Sequence, residues 1–146
     1  MRKFIIFITL LYFNTLSAQI YTDTYIKDAN KIALEWWHQV NTGQYEQSYI
    51  KLSGLLKSRF PLANYSTNMS MLIDEIGNIQ SRIVKETFFQ SKLEGFEDGF
   101  YVTVLYDVEY SKTRNHTETL LLKQNSQMNW EIFDFSYTFQ ALEVDK

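Results

Sequence analysis

The sequence predicts an α+β fold, with N-terminal helices packed on a four-stranded antiparallel sheet. Apolar residues recur at three-and-four spacing to about residue 76, then alternate with polar ones from residue 81 onward. The alternating segments are joined by turns too short for a crossover, so they must pair antiparallel. Helices first and strands second place the helices on one face of a single sheet.

Taken in order, Thr22 or Asp23 is a natural cap for a first helix running to Thr42. Ile26, Ala29, Ile32, Ala33, Trp36, Trp37 and Val40 form its apolar stripe, and Gly43 supplies the left-handed residue that ends it. A second helix turns Tyr45, Tyr49, Leu52, Leu55 and Leu56 inward and stops at Pro61. Ser66 or Thr67 opens a third, with Met69, Leu72, Ile73 and Ile76 as its stripe. Arg82 to Leu93 then reads as a strand, followed by an acidic turn from Gly95 to Gly99. Phe100 to Tyr110 is the clearest strand, with Phe100, Val102, Val104, Tyr106, Val108 and Tyr110 on one face. A polar turn from Lys112 to Asn115 leads to a strand from Thr117 to Lys123. The last strand, Trp130 to Phe139, alternates Phe133, Phe135, Tyr137 and Phe139.

The start of the chain reads as an export leader. Met1-Arg2-Lys3 is basic, Phe4 to Phe13 is apolar, and small residues lead to a cleavage point after Ala18. Residues 1–18 are therefore expected to be a signal peptide, and residues 19–146 a single α+β domain. The apolar run falls short of the ~20 residues that span a bilayer, so no stable membrane insertion is expected after cleavage. The expected location is periplasmic or secreted. The chain has no Cys, so neither a disulfide framework nor an acylated cysteine is available.

Of the 14 basic residues, Arg2 and Lys3 leave with the leader, so 12 face 17 acidic ones and the net charge becomes −5. That balance argues against a nucleic-acid partner, whose phosphates need clustered Lys and Arg. Aromatic residues make up 16% of the chain, enough large side chains to hold a core without crosslinks.

Several spaced residues carry a resemblance. Ala33-Leu34-Glu35-Trp36-Trp37, Val40-Asn41-Thr42-Gly43-Gln44-Tyr45 and Ser48-Tyr49 resemble the opening of the bacterial domain of unknown function 4019 family. Gly77 with Ser81-Arg82, Phe100-Tyr101-Val102 with Tyr106, Glu118-Thr119 and Trp130-Glu131-Ile132 are similar to its later motifs. Asn41 stands where the family usually has Asp, and Tyr49 where it has Trp. The resemblance implies a cone-shaped, nuclear transport factor 2-like (cystatin-like) fold, in which a curved sheet wraps a helix around a pocket. It implies no activity, since fold alone does not specify one.

No catalytic residues stand out. His38 falls on the polar side of the first helix and His116 at a turn, so both read as solvated. With no Cys and no carboxylate at ligand spacing, neither a metal nor a cofactor is expected. Trp36 reads as core; Trp37 fits either a sheet contact or a pocket rim, because helix neighbours lie about 100° apart. Asp134, with Tyr137 and Tyr106 as companions, or Asp107 would suit proton abstraction only if buried with a raised pKa. Arg82 and Glu118 suit either ligand contact or an ion pair binding the helix-to-strand junction to the sheet.

The function expected from these residues is non-catalytic binding of a small apolar ligand or an envelope protein. Trp37, Tyr106, Tyr137, Arg82 and Glu118 are the candidate ligand-binding residues. The alternatives are an enzyme using a pocket carboxylate on a small apolar substrate, and a subunit pairing through the outer sheet face at Tyr101, Leu105 and Leu121. The last includes a homodimer.

Overall fold

The computed structural model describes the backbone of residues 2–142 and the side chains of residues 21–142. The expected leader and its cleavage point lie outside the residues whose side chains are described. Four helices, α1 (Arg2–Asn41), α2 (Tyr45–Ile50), α3 (Gly54–Arg59) and α4 (Leu62–Ile76), precede four strands. The strands β1 (Ile79–Gln90), β2 (Tyr101–Tyr110), β3 (Thr113–Gln124) and β4 (Trp130–Ala141) form one antiparallel sheet in the order β1-β2-β3-β4. The sheet is open rather than closed into a barrel, and the α+β class is as the residue pattern predicts.

Helix α1 runs through Thr22 and Asp23 without a break, so these residues are interior to the helix and not its caps. Ala29, Ala33, Trp36, Trp37 and Val40 are all buried against the sheet. Two small residues one turn apart let the helix axis approach the strands, and the two indoles fill the space beyond them. Gly43 closes the helix at φ +73, where the Gln44 N–H reaches back to the Gln39 carbonyl at 2.8 Å.

The single second helix expected from the sequence is two helices. Leu52 and Ser53 interrupt it because their backbone joins the sheet: Ser53 N–H donates to Ile132 O at 2.8 Å and Ile132 N–H to Lys51 O at 2.9 Å. The Ser53 hydroxyl then caps α3 by accepting from Leu56 N–H at 3.3 Å. Helix α3 ends at Arg59 with Phe60 extended before Pro61, the stop expected from the sequence, and Pro61 also caps α4, which starts four residues earlier than Ser66.

Three sheet features depart from simple alternation. Strand β3 starts at Thr113, because the β2–β3 turn is only Ser111-Lys112. A bulge at Asn115-His116, with Asn115 at φ +50, sends His116 inward. A second bulge puts Phe133 between the rungs Leu122–Ile132 and Leu121–Asp134. Phe133 therefore packs on Tyr101 across the outer face, whereas Trp130 and Ile132 before it and Phe135 after it join the core.

Tyr101 is fully buried under Phe133 and the Lys123 ammonium; Leu105 and Leu121 are half-buried. Phe100, expected on the core face, is partly exposed and stacks on Tyr25 at 4.9 Å.

Candidate functional site

Two places in the fold concentrate the chemistry that the sequence singled out. The first is a closed polar cluster beneath the C-terminal end of α1. Across one rung of the sheet, Tyr106 on β2 pairs with Glu118 on β3, and Glu118 with Tyr137 on β4. Arg82 on β1 belongs to the next rung, opposite Val108 and then His116. Strand alternation turns these side chains to the same face, where α1 supplies Trp37 and Asn41.

Arg82 grips Glu118 with two nitrogens, Nε at 2.8 Å from Oε2 and Nη2 at 3.2 Å from Oε1. Nη2 also donates to the Tyr110 hydroxyl at 2.8 Å, which donates in turn to Glu118 Oε1 at 2.9 Å. Asn41 Oδ1 lies 3.4 Å from the same hydroxyl. The guanidinium sits over the Trp37 ring, 4.2 Å from its centroid, so its flat face is covered while its edge is hydrogen-bonded. His116 Nε2 is 3.4 Å from Glu118 Oε1, an electrostatic contact rather than an aligned hydrogen bond.

Burial opposes charge on Glu118, but its contacts with His116, Arg82 and Tyr110 outweigh that and hold its carboxyl below the usual range. Burial acts unopposed by any hydrogen bond at the Tyr106 hydroxyl and pushes its pKa up to about 12. Burial also raises Tyr110, and the neighbouring Glu118 charge adds to the rise.

His116 is a correction to the sequence reading: it is 2% exposed and not solvated. Its ring stacks on Phe139 at 5.3 Å and 8°. His38 is exposed, as its position on the helix predicts. Trp37, left open between sheet and rim, is 1% exposed and packs under Arg82. The pocket expected between helix and sheet is closed, with Trp36, Trp37, Tyr106, Leu120 and Ile132 all shut off from solvent.

The second place is a groove of about 660 Å³ between α4 and β4. Phe60, Tyr65, Met69, Met71 and Leu72 form one wall; Phe135 and Tyr137 form the other. Asn68, Asp74 and Glu75 complete its lining. Tyr65 is held by its hydroxyl, which shares a 2.9 Å hydrogen bond with buried Ser48 on α2. Phe135 is fixed from behind by Trp36, 5.4 Å away.

Of the five candidate ligand residues, only Tyr137 lines this groove. Trp37, Tyr106, Arg82 and Glu118 come together in the closed cluster instead. The other groove residues were missed because Met69 and Leu72 read as ordinary core positions. Met71, off the helix stripe and 64% exposed, was the available signal.

Asp107 and Asp134 are both exposed, and Asp107 pairs with Lys85 at 3.5 Å. Among the described residues, no group of three or more His, Asp or Glu side chains is placed to hold a metal. No helix among them is long and apolar enough to cross a membrane.

The family model described as "Protein of unknown function (DUF4019)" matches residues 32–135. The chain belongs to this family. The DUF4019 match contains the whole Arg82–Glu118 cluster, from Trp37 and Asn41 on α1 to His116 and Glu118 on β3. It ends at Phe135, so Tyr137 lies beyond it. No curated protein and no solved structure matches the chain.

Proposed function

We propose that this DUF4019 domain is an exported, non-catalytic binding domain that takes an apolar ligand in the α4–β4 groove. One observation carries the reading: the groove pairs an apolar wall with few polar groups in a volume typical of small-molecule sites. Its floor is preformed, because Tyr65 and Phe135 are locked from behind by Ser48 and Trp36. A preformed wall lowers the ordering cost of binding.

The Arg82–Glu118 cluster has a different role in this reading. It has no opening in common with the groove lining, its charges are satisfied within the protein, and it ties β1, β2 and β3 to the end of α1. The carboxylate-base alternative requires Asp107 or Asp134 in an apolar setting, and both are exposed on the sheet. Export by residues 1–18 is part of the proposal and rests on the basic, apolar and small-residue order of the leader.

The test is a titration with hexan-1-ol followed on the methyl signals of Met69 and Met71 by NMR. Saturable shifts of both signals are the expected result. Absence of saturable shifts in the folded wild-type protein would remove the groove as a ligand site.

A further inference from the structure

We propose that the groove selects organic cations: an alkylammonium head, quaternary for preference, with its chain along the apolar wall. The proposal rests on the groove being a ligand site and adds the sign of the ligand's charge.

Three features point the same way. Four aromatic residues, Phe60, Tyr65, Phe135 and Tyr137, border the space. Aromatic faces carry negative potential and attract cations with weakly held water, of which quaternary ammonium is the clearest case. The charged residues of the lining are Asp74 and Glu75, both exposed, and neither takes part in an ion pair among the described residues.

Their position is the third feature. Asp74 and Glu75 occupy the last turn of α4, which has no basic residue. The C-terminal end of a helix already carries partial negative charge, so two carboxylates there are unfavourable for the helix itself. Lys112 reaches this turn but donates to the Asp74 main-chain carbonyl at 2.6 Å. One end of the groove thus presents two carboxylates and a helix C-terminus beside aromatic rings and the Met69 and Met71 thioethers. An anionic ligand would face repulsion there; a neutral one would gain only the apolar contacts.

Titrations with hexyltrimethylammonium, hexan-1-ol and hexanoate, at one ionic strength and read on the Met69 and Met71 methyl signals, separate the possibilities. The expected order is the cation about tenfold tighter than the alcohol, and hexanoate weaker than both. Asp74→Asn combined with Glu75→Gln, both at exposed positions, should reduce the cation's advantage to what the aromatic faces alone supply, while leaving hexan-1-ol unchanged. Equal binding of cation and alcohol, tighter binding of hexanoate, or a cation advantage undiminished by the double substitution overturns the charge selectivity and leaves the groove reading standing. No saturable shift with any of the three overturns both.

Discussion

Glu118 and Tyr137 are direct partners across β3 and β4, yet Glu118 is 2% exposed and Tyr137 40% exposed. One rung of the sheet therefore passes from a closed ionic cluster to the wall of an open groove. The Tyr137 ring also lies nearly parallel to buried His116, 6.2 Å away. The cluster holds β3, the strand against which β4 presents Tyr137, which is how a structural ion pair can matter to a site that it does not touch.

The Arg82–Glu118 pair should behave as a buried unit. Removing either partner leaves the other charge uncompensated, so Arg82→Ala or Glu118→Ala should each cost about 3–5 kcal/mol. The double substitution should cost less than the sum of the singles, because each single carries its own unpaired-charge penalty. Urea denaturation of the four proteins checks this, and additive losses would contradict the pair.

Acid stability follows from the same carboxylate. Glu118 is held below its ordinary value near 4.5 in the folded protein, so in that region the unfolded chain binds the proton more readily. Its contribution is therefore fully present above that ordinary value and is lost as pH falls through the lower folded one. The stability difference between wild type and Glu118→Gln, measured by denaturation from neutral pH downward, should shrink below about pH 4.5. A difference that stays constant through the acid range would show that Glu118 is not held ionised.

Much of this was legible in the chain. Val102, Val104, Tyr106, Val108 and Tyr110 alternate without interruption, so the face of β2 could be read directly. Arg82 and Glu118 stood out because both occupy positions of the family pattern. What alternation cannot supply is a bulge. Asn115 at positive φ and the extra residue Phe133 each shift the count by one, which hid the burial of His116 and put Phe133 on the wrong face. The break between α2 and α3 was equally hidden, because its cause is a long-range hydrogen-bond pair between Lys51–Ser53 and Ile132. The groove is a space between two elements, and residue spacing within either one does not report it.

Helix α1 should show a sharp contrast between neighbours. Trp36 is fully buried against Trp37 and Phe135, so Trp36→Ala should cost about 3–5 kcal/mol. Glu35 is half exposed and pairs with Lys51 at 2.9 Å, so Glu35→Ala should cost no more than about 1 kcal/mol. Urea melts giving the reverse order would mean that the helix presents another face.

Export predicts a mature chain beginning at Gln19. Intact-mass spectrometry of protein recovered from a bacterial host should show loss of residues 1–18, with or without cyclisation of Gln19. Recovery of the full chain in a membrane fraction would contradict it.

If ligand binds between α4 and β4 while the ionic cluster only holds the sheet together, intermolecular NOE contacts from bound hexyltrimethylammonium will show it, because they name the protons that the ligand touches. Contacts are expected to Met69, Met71, Phe135 and Tyr137 and none to Trp37 or Tyr106. Contacts to Trp37 or Tyr106 would place the ligand between α1 and the sheet and contradict binding in the groove.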